Sequence, residues 1–130
     1  MAALSDYAEK LLLDFLMTTG TATRPTNWYV ALFTAAPNDA GGGTEVSAGG
    51  YARQSVAFSA AASPGGTTSN SGEVSFTASG GDYGTVTHMG IFDASSSGNL
   101  LWHGALTASK AVADGDTLTF AVGNIDLTMA

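Results

Sequence analysis

The chain has 130 residues, no cysteine, and eleven acidic against four basic side chains, giving a formal net charge of −7. This length suits one domain with its own hydrophobic core, and the lack of cysteine excludes disulfides and cysteine-based metal sites. The acidic balance argues against nucleic acid and anionic membranes as partners, because both are bound through clustered Lys and Arg.

Residues 5–18 are predicted to form the helix of this chain, because apolar residues recur there at helical spacing. Ser5 is a suitable N-cap, and Asp6 and Glu9 lie in the first turn, where the helix dipole favours carboxylates. Gly20 is expected to end the helix in a left-handed conformation.

The apolar stripe of this helix has two interpretations. It packs on the domain's own sheet, or it docks on a neighbouring subunit as an adaptor. On the second interpretation Leu12, Phe15 and Leu16 are interface residues. We assign residues 1–20 to the N-terminal helical part and residues 27–130 to a β-sandwich, both within one domain spanning residues 1–130.

No targeting or membrane-spanning segment is expected. A signal peptide needs an uninterrupted apolar run of about 7–15 residues, and Asp6, Glu9 and Asp14 interrupt the candidate around 11–17. A transmembrane helix needs about twenty apolar residues. We therefore expect a soluble protein without membrane insertion.

From residue 21 onward the sequence alternates with period two between turn-rich stretches. Residues 28–33 are apolar on both faces, which predicts a central strand covered on both sides. A second strand is predicted over 51–58 and a short one near 73–77. The small, polar, glycine-bearing stretch at 59–71 reads as a mobile surface loop.

Residues 85–92 and 99–106 are predicted to form a hairpin around the turn DASSSG. A final hairpin is predicted to turn at 113–116 and to lead into a last strand through residues 118–127. Short strands separated by frequent turns predict a mainly β fold, an antiparallel β-sandwich of about six to eight strands with one N-terminal amphipathic helix.

A long, acidic, glycine-rich connection joins the first two predicted strands. Such connections normally have about two to five residues, and much longer ones are usually functional or disordered. We expect residues 37–50 to be irregular and to contact a neighbouring chain. The candidate interface residues here are Asp39, Glu45, Tyr51 and Arg53.

Catalytic motifs are missing from the sequence, so no enzyme activity, catalytic residue or cofactor is expected. His88 and His103 fall directly opposite each other if the hairpin turn centres between Ser95 and Ser96. Both imidazoles then lie on the solvent or interface side. A shared metal ion would lack a third ligand, so a polar cross-strand pair or a pH-sensitive subunit contact is favoured.

Two further groups of side chains have alternative interpretations. Asp93, Asp114 and Asp116 lie in turns; calcium takes such oxygen ligands, but their spacing lacks an EF-hand pattern, which favours solvated turn residues. Tyr51 and Tyr83 adjoin glycine-rich turns and are candidates for stacking on sugar rings. Core or interface packing is the favoured alternative for both tyrosines.

Nearly the whole chain resembles a family of small virion proteins of tailed bacteriophages, usually labelled phage tail fibre proteins. The resemblance is carried by LSDYAEKLLLDFLM, by PTNWYVALFTAAPNDAGGGTEVSAGGYARQSVAF, and by GDYGTVTHMGIFDASSSGNLLWHGALTASKAVADGDTLTFAVGNIDLTM. Its most specific pieces are YVALFTAAPNDAGGGTEVSAGGYAR and the strand GTVTHMGIFDA with its partner LWHG. The resemblance implies a non-enzymatic virion structural protein that is assembled in the cytoplasm of a bacterial host.

The implied partners are other phage virion proteins and further copies of the chain, with a closed trimer favoured for a phage appendage. A tail-fibre or tail-adaptor component is the preferred hypothesis. The first alternative is a capsid decoration protein on the outer head surface. The second is a carbohydrate-binding module that recognises a host surface glycan.

Overall fold

The structure, a computed structural model, describes residues 2–62 and 65–129. It contains ten strands and one helix: β1 (Ala2–Leu4), α1 (Asp6–Met17), β2 (Tyr29–Ala35), β3 (Thr44–Glu45), β4 (Gln54–Ser55), β5 (Thr67–Ser69), β6 (Val74–Thr77), β7 (Gly84–Phe92), β8 (Leu100–Val112), β9 (Thr117–Phe120) and β10 (Asp126–Thr128). The strands pair in antiparallel fashion. The predicted mainly β, antiparallel class is therefore confirmed, with ten strands instead of six to eight.

The strands form one large sheet and two small ones. In the large sheet the order is β1, β8, β7, β2, and the free edge of β2 is shared by β3 at one end and β4 at the other. The small sheets pair β5 with β10 and β6 with β9. One hydrophobic core joins all three sheets. It contains Val30, Leu32, Val86 and Ile91 from the large sheet and Val74, Phe76, Leu118 and Leu127 from the small ones.

Strand β2 is covered on both faces, as predicted for residues 28–33. Its side chains from Val30 to Phe33 are all buried. Val30 and Leu32 belong to the main core, while Phe33 on the opposite face lies 6.2 Å, centroid to centroid, from Phe92. This strand pairs with β7, β3 and β4, which makes it a central element of the fold.

The predicted strand over 51–58 is largely wrong. Only Gln54 and Ser55 pair with β2, and Phe58 makes an isolated bridge to Asn70. The loop prediction for 59–71 is wrong for Thr67–Ser69, which forms β5; Ser63 and Pro64 lie outside the described residues. Alternation of apolar and polar residues indicates an extended segment with two different faces. Such a segment becomes a strand only where a neighbouring strand supplies backbone hydrogen-bond partners.

The turn at 113–116 does not close a hairpin. β8 pairs with β7 and β1, whereas β9 pairs with β6, so the turn carries the chain from the large sheet to a small one. The predicted last strand is divided into β9 and β10, and Val122 between them is exposed. A turn signal fixes a local change of direction and leaves open which strands pair.

Helix α1 begins and ends within one residue of the predicted bounds. The Ser5 side chain caps it by accepting a hydrogen bond from the Ala8 N–H. The prediction that Gly20 ends the helix in a left-handed conformation is wrong. Thr18 ends it in an extended conformation, and its hydroxyl donates to Asp14 O at 3.0 Å and accepts from the Gly20 N–H at 3.1 Å.

Asn70 is a fully buried polar residue whose role was not predicted from the sequence. Its side-chain amide donates to Gly72 O at 2.8 Å and Ala121 O at 2.9 Å, and it accepts from the Ile125 N–H at 2.9 Å. These bonds hold the start of β10 against the end of β5. In a stretch of Ser and Gly, an Asn is typical of a turn, so local sequence gives no signal for this role.

Candidate subunit interface

The long loop at 37–50 is folded against its own domain. Asn38 and Gly41 exchange backbone hydrogen bonds of 2.8 and 2.9 Å, and β3 pairs with β2. Gly43 has a φ of +74°, and a Cβ there would lie 2.7 Å from Ala35 O. The expectation of an irregular loop is therefore wrong for these parts, because backbone groups near β2 find partners within the chain.

Asp39 joins the tip of this loop to the helix and to β8. Its side-chain Oδ1 lies 2.7 Å from His103 Nε2, and its backbone carbonyl accepts from the Asp6 N–H at 2.9 Å. The carbonyl thereby satisfies one of the free N–H groups in the first turn of α1. Asp39 and His103, both predicted interface residues, meet inside one chain.

Glu45, Tyr51 and Arg53 form a second set of contacts, which we call the loop network. The Arg53 guanidinium donates to both Glu45 carboxylate oxygens, at 2.8 and 2.9 Å. The Tyr51 hydroxyl donates to Glu45 Oε2 at 2.7 Å and accepts from the Leu32 N–H at 3.0 Å. A bidentate charged pair of this kind fixes geometry as well as contributing energy.

Arg53 also connects the loop to the turn between β7 and β8. Its Nη1 donates to Ala94 O at 3.0 Å and to Ser97 O at 2.8 Å. The guanidinium carbon lies 3.7 Å from the centroid of the Phe92 ring, within the range of a cation–π contact. Only 8% of the Arg53 side chain is exposed, so most of its bonding capacity is used within the domain.

The pKa values in the loop network follow from this packing. Burial raises the pKa of Glu45, but hydrogen bonds from Arg53 and Tyr51 outweigh it, and the net pKa is lowered. Burial raises the pKa of the Tyr51 phenol, and its hydrogen bond to Glu45 raises it further. For Arg53, burial lowers the pKa while the pairing with Glu45 raises it, and the pairing prevails. The network therefore favours a charged pair and a neutral phenol.

The two tyrosines considered for sugar stacking are used inside the domain. Tyr83 is buried, and its hydroxyl donates to Thr77 O at 3.0 Å. The Tyr51 ring stacks on Phe76 and meets Tyr83 edge-on, with centroid distances of 6.1 and 5.7 Å. Burial raises the pKa of the Tyr83 phenol. Core packing, the favoured alternative, describes both side chains, and the sugar-stacking hypothesis for them is not supported.

The predicted register of the two histidines is wrong. His88 pairs with Ala105, and His103 pairs with Gly90, so the histidines are offset by two residues along the strands. His88 Nδ1 contacts Thr87 Oγ1 at 2.8 Å, while His103 binds Asp39. The turn between β7 and β8 is longer than the predicted turn, because β8 begins at Leu100 and not at Asn99. A register shift between Ile91 and Phe92 further changes which residues of the two strands lie opposite each other. Across residues 2–62 and 65–129, no three metal-binding side chains of His, Cys, Asp or Glu converge.

The turn carboxylates bind backbone groups of the same chain. Asp93 accepts from the backbone and side-chain N–H groups of Asn99, at 2.7 and 2.9 Å. Asp114 accepts from the Gly80 N–H at 3.0 Å, and Asp116 from the Ala113 N–H at 3.0 Å. These side chains stabilise turns, in line with the interpretation favoured over calcium binding.

Helix α1 is docked at its beginning and open at its end. Ser5 is buried, donates its backbone N–H to Leu101 O at 2.9 Å, and its hydroxyl donates to Leu100 O. Ala8 is the buried residue of the helix itself. Further along, Leu12 is half-buried, while Phe15 and Leu16 are exposed. The beginning of the stripe therefore packs on the domain's own sheet, whereas docking of its exposed end on a neighbouring subunit stays a prediction.

Leu13 and Met17 also belong to this open surface, although neither was predicted from the sequence. Both are exposed, and both lie off the predicted apolar stripe. The run LLLDFLM contained the signal, because six of its seven residues are apolar and one stripe cannot contain them all. In the part of the chain that the structure describes, no helix has the length and apolarity that a membrane crossing requires.

Comparison with known protein families finds one family that matches almost the whole chain. A family described as Podophage GP4 fiber I protein gp80 matches residues 3–128. The matched span includes α1, the loop network and every strand from β2 to β10. A search of curated proteins returned no match.

Proposed function

The chain belongs to the Podophage GP4 fiber I protein gp80 family and is a phage virion structural protein; from this premise we propose that it is a non-enzymatic tail-fibre or tail-adaptor component. In this role the β-domain is a rigid module that assembles with its own copies and docks on other virion proteins. It takes its place in the particle after synthesis in the bacterial host.

The observation that carries this proposal is the exposed apolar end of α1. Leu13, Phe15, Leu16 and Met17 are each at least 60% exposed, although the domain has a well-packed core elsewhere. Apolar side chains concentrated on one exposed patch mark a site of protein interaction. A virion subunit needs such a surface, because its contacts in the particle are non-covalent.

The loop network supports the proposal in a different way. Arg53 joins Glu45, on the long loop, to the turn that connects β7 and β8. These long-range contacts favour a loop that keeps its shape before assembly. Asp39 is still 54% exposed at its side chain, so we propose that it and the outer part of the loop contribute a polar rim to a subunit contact.

The position in the particle is the part of the proposal that copy number tests most directly. A tail component occurs in multiples of three or six, whereas a capsid decoration protein occurs in hundreds of copies. Quantitative mass spectrometry of purified particles, calibrated on the major capsid protein, measures this number. A small multiple of three supports the tail-fibre role, and hundreds of copies would instead establish decoration of the head.

Recognition of a host glycan is less well supported than either structural role. The two tyrosines that motivated it, Tyr51 and Tyr83, are engaged in aromatic and hydrogen-bonded contacts within the domain. A glycan array probed with the purified chain tests this role. Specific binding to a host surface saccharide would restore it, and a blank array would count against it.

A further inference from the structure

We propose that residues 2–17, which form β1 and α1, open and close on the β-domain as one unit, and that a contact between Asp39 and His103 keeps this unit closed. We call residues 2–17 the N-terminal arm and the contact between Asp39 and His103 the clasp. The proposed structural role needs only one conformation of the chain. The N-terminal arm gives the chain a second one, in which the β-domain stays folded.

The core of the β-domain is complete without the N-terminal arm. The described members of the main hydrophobic core run from Val30 to Leu127, and none of them lies in the arm. Among the arm side chains that the structure describes, Ser5 and Ala8 are the buried ones. A segment that shares no part of the main core can open separately, because its release leaves that packing unchanged.

The segment that follows the N-terminal arm is suited to be a hinge. Residues 18–28 contain no helix or strand, and none of their side chains is buried. In the part of the chain that the structure describes, the hydrogen bonds of residues 19–27 reach only Thr18 or one another. The chain is tied to the β-domain again at Trp28, whose carbonyl accepts from the Val56 N–H at 2.9 Å. Rotation within this segment therefore moves the arm without breaking contacts elsewhere.

The bonds that attach the N-terminal arm are concentrated where β1 meets α1. β1 pairs with residues 102–104 of β8. Ser5 donates its backbone N–H to Leu101 O at 2.9 Å, and its hydroxyl donates to the carbonyl of the preceding β8 residue. The Asp6 N–H donates to Asp39 O at 2.9 Å. Opening breaks this small set of bonds and leaves the pairing of β8 with β7 intact.

The bond to Asp6 depends on the clasp. Asp39 lies in a tight turn, in which Asn38 and Gly41 exchange backbone hydrogen bonds. Its side-chain Oδ1 lies 2.7 Å from His103 Nε2, in the stretch of β8 that pairs with β1. The clasp thereby holds the Asp39 carbonyl against the first turn of α1, where backbone N–H groups need an acceptor. Asp39 and His103 are positioning residues for the closed arm.

Opening uncovers the outer edge of β8. Leu100 and Leu101 are 7% and 6% exposed in the closed chain, and their carbonyls bind Ser5. Release of the N-terminal arm frees these carbonyls and the backbone groups that pair with β1. An unpaired strand edge accepts another extended strand. The closed arm therefore protects an edge that the open arm makes available.

Trypsin, added to the purified full chain under native conditions, tests the proposal. Lys10 lies in the N-terminal arm, whereas Arg53 and Lys110 lie in the β-domain. Trypsin does not cleave the bond between Arg24 and Pro25. Cleavage of a folded chain follows the population of the opened form, so we expect cutting at Lys10 to be more than about tenfold faster than cutting at either β-domain site. Mass spectrometry of the products over time measures these rates.

Variants of the clasp test its part in closure. Asp39→Ala should raise the cleavage rate at Lys10 about fivefold, the change in open population that follows from losing one hydrogen bond of ordinary net strength. His103→Ala should do the same, and His103→Gln should restore most of the protection, because its amide can donate in place of Nε2. Asp116→Ala is the matched control, since Asp116 binds the Ala113 N–H within the β-domain; it should leave the rate at Lys10 unchanged.

Two results would overturn the proposal. Equal cleavage rates at Lys10, Arg53 and Lys110 in the wild type would mean that the N-terminal arm opens only when the whole domain unfolds. An unchanged rate at Lys10 in Asp39→Ala would mean that the clasp does not control closure. Hydrogen exchange of the uncut wild type measures the same opening independently: the amides of α1 should exchange faster than those of β2, and equal protection would again exclude a separate arm.

Discussion

The loop network and the end of α1, which we call the helix tip (Leu12, Leu13, Phe15, Leu16 and Met17), differ in where their side chains find partners. Glu45, Tyr51 and Arg53 are polar, and each is bound to at least two other groups of the same domain. The side chains of the helix tip are apolar and largely exposed. A buried polar group needs a hydrogen-bond partner within its own fold, because leaving it without one is costly. An exposed apolar surface has no such requirement and is available for contact with another molecule. The contrast indicates that the first region stabilises the fold, and it is consistent with the assembly role proposed for the second.

Arg53→Ala should have the largest effect on folding. The substitution leaves Glu45 without its charged partner and the carbonyls of Ala94 and Ser97 without their donor. We expect the free energy of unfolding to fall by about 2–4 kcal/mol, the cost of breaking a largely buried pair. Urea denaturation followed by circular dichroism measures it.

Arg24→Ala is the control for this prediction, because Arg24 is exposed and its loss should change the free energy of unfolding by less than about 0.5 kcal/mol. If Arg53→Ala instead abolished assembly and left stability unchanged, the division between the two regions would be wrong.

Tyr51→Phe should have the next largest effect. It keeps the ring that stacks on Phe76 but removes the acceptor of the Leu32 N–H and one donor to Glu45. The expected loss is about 1–2 kcal/mol of unfolding free energy, since a buried backbone N–H is left without a partner. Thermal unfolding of this variant beside Tyr7→Phe, which alters a 40% exposed tyrosine, gives the comparison. Equal melting temperatures would contradict the network.

The loop network should also weaken in acid. The pKa of Glu45 is lower in the folded chain than its ordinary value of 4.5. Its contribution is therefore present above pH 4.5 and is lost as the pH falls through the folded pKa. The stability difference between the wild type and Glu45→Gln should shrink over this acidic range. Denaturation series at pH 7 and at several values below 4.5 measure it, and a constant difference would exclude this charge as the cause.

Phe15→Ser should have the smallest effect on folding. Phe15 is 70% exposed on the helix tip, so its replacement removes little buried area and should change the free energy of unfolding by less than about 0.5 kcal/mol. Sedimentation of the same sample should nevertheless show weaker association. A large loss of stability in the monomer would mean that the tip packs on its own domain.

Local chemistry predicted several elements well. The bounds of α1 follow from helical spacing and from the Ser5 cap, and β2 follows from apolar side chains on both of its faces. The hairpin of β7 and β8 follows from alternation around a turn-rich segment. In each case the deciding interactions lie within a few residues of one another, or repeat along one element.

The candidate site was predictable in composition but not in arrangement. The sequence pointed to Asp39, Glu45, Tyr51 and Arg53, and the structure joins the last three to one another. It places Asp39 with His103, a partner 64 residues away that no spacing in the sequence indicates. The roles of these residues in contacts between subunits remain predictions.

The sequence by itself determined the mainly β class, the position of the helix and the chemical character of its apolar end. Periodicity and capping act over three or four residues, so they can be predicted from the local sequence. Only the tertiary structure decided the register of His88, the partner of β9, and which half of α1 is covered. Those choices depend on how distant segments fill one shared core, and that packing is a property of the whole chain.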